Sequence, residues 1–362
     1  MVRMAFALCG LLGLLYPTAA SAWGYQGHRV VGSIADTLLL TTNAGAQVKA
    51  ILNPPGSHDA SPGSHGFDLR KAGPWADCVK SVDKLADGTF KYATKELHPE
   101  YELPCIPFKN ERGLMEDYAS RNWTTCLYPS DPNKPQLGCH NTFHFDDVAI
   151  ERNGFDRTFQ GTNPHDLVAA IEAAIAVLSD KPVPPTFAFS IKDKREALLL
   201  LTHFIGDLHQ PLHVSSAYLD GNGKLVDPDA AGAIDPVNET SGGNAIQDQN
   251  INLHTEWDDI PTDIGDAATR ELLTAARAVP ATPGHPEDWP AAWATDTILV
   301  AHDAFAGLTF TFHPPQPPDT RLQWLVAFDD HTAYLWQMDQ IKRRQLAKAG
   351  ARLAQILNAI WP

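Results

Sequence analysis

Apolar residues recur at three- and four-residue intervals along much of the chain, a spacing that predicts amphipathic helices. Alanine-rich stretches, which favour helix, accompany this spacing. The clearest predicted helices cover residues 30–40, 167–178, 192–208 and 335–360. Convincing alternation of apolar and polar residues is rare, and no internal repeat is found. The pattern therefore predicts a mainly α-helical chain.

Four irregular stretches, each rich in Pro, Gly, Asn or Asp, interrupt the predicted helices. They cover residues 53–66, 95–138, 215–243 and 281–290. None of them reads as a linker between domains. We therefore expect residues 23–362 to form one helical domain with these stretches as surface excursions.

The first 22 residues have the features of an export signal. Arg3 precedes an apolar run over residues 4–16, and Ala20-Ser21-Ala22 matches the small-residue pattern that a signal peptidase cleaves. No later run approaches the roughly 18 apolar residues of a membrane helix. We expect a secreted or periplasmic protein that begins at Trp23 and does not associate with a membrane.

Cysteine usage agrees with export. Four cysteines remain after the signal, namely Cys78, Cys105, Cys126 and Cys139, and an even number in an oxidising compartment allows two disulfides. Three connectivities are open, and closeness along the chain favours Cys78 with Cys105 and Cys126 with Cys139. A cysteine-zinc site is the weaker alternative because there is no CxxC pair.

Composition is that of a globular protein, with 44% hydrophobic and 20% charged residues. The formal net charge of −15 argues against binding nucleic acid through a broad basic surface. If the protein handles phosphates, something other than lysine must supply the positive charge.

Two His/Asp pairs could supply that charge by holding metal ions. His203 and Asp207 are four residues apart, so on a helix they stand about 40° apart on one face. His254 and Asp258 repeat the spacing, and His213 follows the first pair just beyond Pro211. Imidazole and carboxylate without thiolate suit Zn²⁺ in a hydrolytic site. For one pair alone a surface hydrogen bond is the better interpretation; two pairs favour metal.

The new amino terminus adds a third set of donors. Cleavage before Trp23 would expose an α-amino group, which can chelate a metal together with its own carbonyl oxygen. His28 follows five residues later. By itself this observation is weak, since an N-terminal Trp usually just packs.

Motifs in a fixed order carry a resemblance that spans nearly the whole chain after residue 22. They are Trp23-Gly24 with Gly27-His28, Trp75-Ala76-Asp77, Phe143-His144-Phe145, the block from His203 to His213, Gly242-Gly243-Asn244, and His254 with Trp257-Asp258. The chain resembles the trinuclear zinc, single-strand-specific nucleases and 3′-nucleotidases of the mung bean nuclease and nuclease P-one type. Joint agreement at so many spaced positions is far more specific than one short motif. The resemblance implies a single all-helical domain, similar to zinc-dependent phospholipase C, with few or short strands in loop insertions.

The resemblance also implies three zinc ions and their ligands. Asp77, His144, His203 and Asp207 would hold the first ion; His213, His254 and Asp258 the second; and Trp23, His28 and the bridging Asp207 the third. Asp77 and His144 come from the resemblance alone, because buried Asp and His are more often structural partners.

The implied activity is hydrolysis of phosphodiester bonds in single-stranded DNA and RNA to 5′-phosphate products, with 3′-nucleotidase activity, by metal-activated water. Asp77 and Lys80, three residues apart, would act together at the phosphate, where Lys80 stabilises charge in the transition state. Phe145 would stack on a base, Asp147 would hydrogen-bond its edge, and Asn244 would touch substrate. The alternative for Lys80 is a surface lysine, and for Phe145 a core residue.

Two segments depart from the fungal pattern. A cysteine-containing segment over residues 81–139 separates Asp77 from His144, and the loop over 215–241 is also extended. Both border the expected cleft, so base preference and substrate size stay open.

Two rival functions remain. In zinc-dependent phospholipase C the closing ligand of the second zinc is typically Glu, whereas this chain has Asp258, which favours the nuclease. A non-catalytic exported zinc-binding protein would need the ligands but not Lys80, Phe145 or Asp147, and no open coordination position.

Overall fold

The computed structural model describes residues 23–55, 66–93, 102–123, 125–126, 137–185, 189–314 and 323–362. Its helices are α1 (Tyr25–Leu39), α2 (Asn43–Leu52), α3 (Leu69–Ala72), α4 (Trp75–Val79), α5 (Glu102–Cys105), α6 (Arg112–Arg121), α7 (Cys139–Thr142), α8 (Leu167–Leu178), α9 (Lys194–Asp207), α10 (Pro228–Ala231), α11 (Leu253–Asp258), α12 (Arg270–Arg277), α13 (Trp289–Phe305) and α14 (His331–Ile360). Short 3₁₀ turns cover Ile106–Phe108, Pro211–His213 and Pro286–Asp288. The expected signal segment, residues 1–22, lies outside the described residues.

The strands are few and short, in agreement with the expected mainly α fold. They are β1 (Val82–Lys84), β2 (Phe90–Tyr92), β3 (Thr125–Cys126), β4 (Leu137–Gly138), β5 (Val148–Ala149), β6 (Ser215–Ser216), β7 (Ile246–Asp248), β8 (Ile251–Asn252), β9 (Leu308–Phe312) and β10 (Trp324–Phe328). The four strands β8-β7-β10-β9 form one sheet, in which only the β7 and β10 pair is parallel. This sheet lies outside the two insertions where strands were expected.

The main core forms where α1, α9 and α14 pack together, with α8 against α9 and α12 against α14. The apolar stripe of α1 supplies Val30, Val31 and Ile34, all fully buried. Gly350 lets α14 approach α1 closely, because a Cβ there would lie 2.5 Å from Ile34 Cβ. The N-cap carboxylate of Asp193 accepts a hydrogen bond from Glu196 N and begins α9, the helix that supports the candidate site.

A second core joins the four-stranded sheet to the helices that surround it. Trp257 of α11, Trp324 of β10 and Tyr334 of α14 are buried there. Trp257 Nε1 donates to Tyr334 Oη at 2.9 Å, and that hydroxyl donates to Ala304 O at 3.0 Å. These bonds fix α11 against α13 and α14, so the position of the His254-bearing helix is set from outside the site.

The predicted helices are confirmed with small differences at their ends. The bounds of α8 agree fully, whereas α1 begins at Tyr25 and α14 at His331, before the first strongly periodic residue of each. The prediction of an irregular 95–138 stretch is wrong for α6. That helix buries Met115, Tyr118 and Ala119 at helical spacing, but the residues around them are polar enough to hide the period.

The cysteine predictions can be checked in part. Cys78 and Cys105 form a disulfide with their Cα atoms 5.7 Å apart, which joins α4 to α5 as expected. Cys139 is also disulfide-bonded. The side chain of Cys126, its expected partner, lies outside the described residues.

Within the described parts of the chain, no helix has both the length and the apolar character needed to cross a bilayer.

Candidate metal centre

Eight of the nine residues expected to bind metal bring their side chains together in three groups, two of which share His203. The ligand atoms within each group lie within 4.8 Å of one another. The groups are His28, His203 and Asp207; Asp77, His144 and His203; and His213, His254 and Asp258. All eight side chains are buried.

Asp207, at the end of α9, lies close to imidazoles of both of the first two groups. Its Oδ2 lies 3.0 Å from His144 Nδ1 and 3.2 Å from His203 Nε2, while its Oδ1 lies 3.2 Å from His28 Nε2. Asp77 completes this part, with its Oδ1 3.6 Å from His203 Nε2. One carboxylate thus faces three imidazoles, the arrangement expected of a bridging ligand.

Helix α11 supplies two members of the remaining group, one turn apart. His254 Nε2 lies 3.6 Å from Asp258 Oδ2, and His213 Nε2 lies 3.7 Å from Asp258 Oδ1. His213 comes from the 3₁₀ turn that follows α9, and its Nδ1 donates to His144 O at 2.7 Å. That bond places this group next to the first two.

Backbone carbonyls orient three of the imidazoles. Besides the His213 bond, His203 Nδ1 donates to Gly73 O and His254 Nδ1 to Gly242 O, each at 2.7 Å. These bonds assign the ring proton of a neutral imidazole to Nδ1, so each Nε2 lone pair faces into its group. The same pattern orients histidines that bind metal.

The donor set fits divalent cations. His213 Nε2 and His254 Nε2 are only 2.9 Å apart, and with both protons on Nδ1 their lone pairs repel unless a positive charge lies beside them. Buried Asp77 Oδ2 and Asp258 Oδ2 also have no hydrogen-bond partner among the described residues. Orphaned buried oxygens are costly, and a cation relieves the cost.

Electrostatics prepare these groups for a cation. Burial and then the charge of Lys80 lower the pKa of His144 to about 3, and burial lowers the pKa of His28, His213 and His254. Metal ligation requires such neutral imidazoles. Burial alone would raise the pKa of the Asp207 carboxyl, but the imidazoles around it hold that pKa well below its ordinary value.

In two members of the groups, His203 and Asp258, the pKa is raised and not lowered. Burial lowers the pKa of His203, but the Asp207 and Asp77 carboxylates outweigh it and raise that pKa overall. Burial raises the pKa of Asp258 to about 7. Both shifts favour added positive charge, which a metal ion supplies as well as a proton does.

Lys80 lies beside the groups, at the C-terminal end of α4. Its Nζ donates to Asp77 Oδ1 at 2.8 Å, and 14% of its side chain is exposed. The alternative of an ordinary surface lysine therefore does not describe it. It is a mostly buried cation held against a candidate ligand.

The three expected substrate residues closely follow, along the chain, residues that form or orient the groups. Phe145 directly follows His144 and is partly exposed, whereas Asp147 is buried and its main-chain oxygen accepts a bond from Tyr218 Oη. Asn244 ends a turn in which Gly242 and Gly243 have positive φ and Gly242 O holds His254. Asn244 Nδ2 donates back to Ser241 O at 2.9 Å.

Trp23 is the ninth expected ligand. It is fully buried directly before α1, and the adjoining Gly24 N donates to Asp258 O at 2.9 Å. The main chain at Trp23 is therefore tied to the helix that carries His254.

Sequence reasoning missed Gln210, although it lies inside the 203–213 block. Gln210 is fully buried, and its Nε2 donates to Asp258 Oδ1 at 2.8 Å while its Oε1 accepts from Leu212 N. Its position between Asp207 and His213 was the available signal, but an amide side chain by itself indicates no chemistry.

Sequence comparisons relate this chain to known nucleases. The sequence model of the S1/P1 Nuclease family matches residues 109–362, a stretch that contains six of the eight clustered residues. Endonuclease 2 of Arabidopsis thaliana is 24% identical over 356 residues, covering 94% of this chain and 90% of the relative.

Proposed function

Because this chain belongs to the S1/P1 nuclease family, whose members are metal-dependent, we propose that it is an exported zinc-dependent endonuclease that hydrolyses phosphodiester bonds in single-stranded DNA and RNA. Its products carry 5′-phosphates, and it also removes 3′-phosphates from nucleotides. The observation that carries the proposal is the convergence of eight buried His and Asp side chains beside a lysine.

Three zinc ions are the proposed complement. Asp77, His144, His203 and Asp207 would hold the first, and His213, His254 and Asp258 the second. The third would rest on His28, Asp207 and the amine and carbonyl of Trp23. Bound zinc would supply Lewis acidity, activating water and neutralising charge on the phosphate.

The residues of the chain itself bind and orient the substrate. Lys80, oriented by the Asp77 carboxylate, would hold a non-bridging phosphate oxygen and stabilise its growing negative charge. Phe145 would stack on a base and Asp147 would accept a hydrogen bond from its edge. A base reaches such a pocket only after it leaves its stack, which costs least in a single strand.

The net charge of −15 is consistent with this substrate. Without a broad basic surface, attraction for duplex phosphates is weak, and the positive charge is confined to the metal centre and Lys80. Strand cleavage then depends on entry of a single nucleotide into the centre.

The test uses protein that begins at Trp23 and single-stranded and duplex oligonucleotides of one sequence. We expect fragments with 5′-phosphate and 3′-hydroxyl ends from the single strand, identified by mass spectrometry, lost with chelator and restored by zinc. Zinc-loaded protein that cleaves neither the single-stranded nor the duplex oligonucleotide would contradict the proposal. Hydrolysis of phosphatidylcholine instead would support the phospholipase alternative.

A further inference from the structure

A fourth group of potential metal ligands lies apart from the three groups described above. Asp248 at the end of β7, Glu256 in α11 and His331 at the start of α14 bring one ligand atom each within 4.8 Å of the others. His331 Nε2 lies 3.4 Å from Asp248 Oδ2. Three separate elements therefore direct two carboxylates and one imidazole toward one point.

The group is partly enclosed and incompletely hydrogen-bonded. The exposed fraction of the side chain is 8% for Asp248 and 36% for His331. Glu256 Oε2 and His331 Nε2 are shielded from solvent, and neither has a hydrogen-bond partner in the described ranges. Buried polar atoms without partners are unusual and indicate a missing water or ion.

Lys342, a buried lysine beside this group, donates its hydrogen bonds to backbone oxygens and not to the two carboxylates. Lys342 Nζ donates to Glu256 O at 2.7 Å and to Asp259 O at 2.6 Å, both backbone oxygens at the end of α11. Its ammonium thus caps the helix, and neither bond reaches the Asp248 or Glu256 carboxylate. Two neighbouring carboxylates repel each other unless a proton or a cation lies between them.

The His331 ring has a fixed orientation. It stacks on Phe328 with the ring centroids 4.5 Å apart and an interplanar angle of 30°. An imidazole held in place on one face loses little freedom when it binds a metal, so the group is preorganised.

We propose that Asp248, Glu256 and His331 form a further zinc site, separate from the catalytic centre. Two carboxylates, one imidazole and no thiolate match the ligand types of three-ligand zinc sites, which leave a position for water. Calcium is a poorer match because it takes six to eight oxygen ligands. The ion would join α11 to the sheet and to α14.

The test compares bound zinc in wild-type protein and in two variants. Asp248→Asn keeps the side-chain shape but weakens ligation, and His331→Phe keeps the ring on Phe328 but removes the nitrogen. His285→Phe is the matched control, because His285 is exposed and belongs to none of the four groups. Each protein is dialysed against micromolar zinc, and bound zinc is counted by mass spectrometry.

We expect each site variant to bind one zinc fewer than wild type and the control to bind the same number. Added zinc should raise the unfolding temperature of the wild type further than that of Asp248→Asn. Equal zinc content in wild type and both site variants would overturn the proposal, as would an equal loss in His285→Phe. The test compares zinc contents and not cleavage, so its result does not depend on whether the protein cleaves single strands.

Discussion

Gln210 Nε2 donates a hydrogen bond to Asp258 Oδ1 at 2.8 Å inside the protein. The backbone amide of Leu212 holds Gln210 Oε1 and so fixes which end of the side-chain amide faces the carboxylate. The hydrogen bond to Oδ1 thereby fixes the rotation of the Asp258 carboxylate, so that Oδ2 faces His254. Partners of this kind orient a ligand without touching the metal.

Gln210→Met should weaken zinc binding because Asp258 would lose its orienting partner. We expect affinity to fall by about 10- to 100-fold, measured by competition with a chromogenic chelator. Gln345→Met is the control, since Gln345 is equally buried but donates to His209 O. If both variants keep wild-type affinity, Gln210 has no orienting role.

Gly206→Ala should displace the His28 ring. A Cβ at position 206 would lie 2.7 Å from His28 Nδ1, and the ring cannot retreat because it stacks on His203 with centroids 3.7 Å apart. We expect loss of bound zinc and a lower unfolding temperature. Without this clash, replacing glycine by alanine inside a helix normally raises the free energy of unfolding by up to about 1 kcal/mol.

Gly113→Ala in α6 is the matched control for Gly206. No heavy atom counted as a neighbour lies within 4 Å of a Cβ placed there, so this variant should be as stable as wild type or more so. Retention of all zinc by Gly206→Ala would show that the contact with His28 relaxes without cost.

Lys80→Met should lower kcat for single-stranded DNA by about 10²- to 10³-fold, the usual effect of losing one donor to transition-state charge. Zinc content should stay at the wild-type level because Lys80 is not a ligand. Lys91→Met serves as control, since 62% of the Lys91 side chain is exposed and it pairs with Glu116. A wild-type kcat in Lys80→Met would support a binding protein or a different catalytic cation.

A methionine added before Trp23 should remove one zinc. The added residue converts the α-amino group of Trp23 into an amide, which is a poor ligand, while the bond from Gly24 N to Asp258 O can persist. We expect one equivalent less zinc than in protein beginning at Trp23, measured on both preparations side by side. Identical zinc content would exclude the amine as a ligand.

Asp36 gives stability a pH dependence that does not involve the metal groups. Burial raises the pKa of its carboxyl to about 7, against the opposing effect of hydrogen bonds from Arg70 N and Leu69 N. The folded protein thus favours the protonated form. The contribution of Asp36 to stability is complete below about pH 4 and is lost as pH rises through 7.

We therefore expect Asp36→Asn to lose less stability than wild type between about pH 4 and pH 8, by an amount on the order of 4 kcal/mol. Urea unfolding of both proteins at saturating zinc measures the difference. Parallel stability curves would contradict the assignment to Asp36.

How far the sequence could lead is clear from the individual residues. His203 and Asp207 are predictable because both lie one turn apart on a strongly periodic helix, and the structure brings them together. Asp77 and His144 are not predictable from spacing, because Asp77 lies in a helix of five residues, His144 follows one of four, and the two meet only in three dimensions. Only the family resemblance indicated them.

The fold shows the same division. Helix α8 is predictable over its full extent because nearly every residue in it is apolar. Helix α6 is not, because it has only three buried residues, Met115, Tyr118 and Ala119, among polar ones. Strand β10 pairs in parallel with β7, which lies far earlier in the chain, with Trp324 opposite Ile246. Local pattern does not carry such pairing.

The packing of α1 on α14 has a consequence for the order in which the protein is assembled. His28 lies on α1, the first helix described, and α1 rests on α14, which the ribosome makes after every other described element. A chain without α14 would leave the inner face of α1 uncovered, and only the contacts of α1 with α3 and α9 would then position His28. The last helix to be made thus supports the ligand that stands first in the described chain.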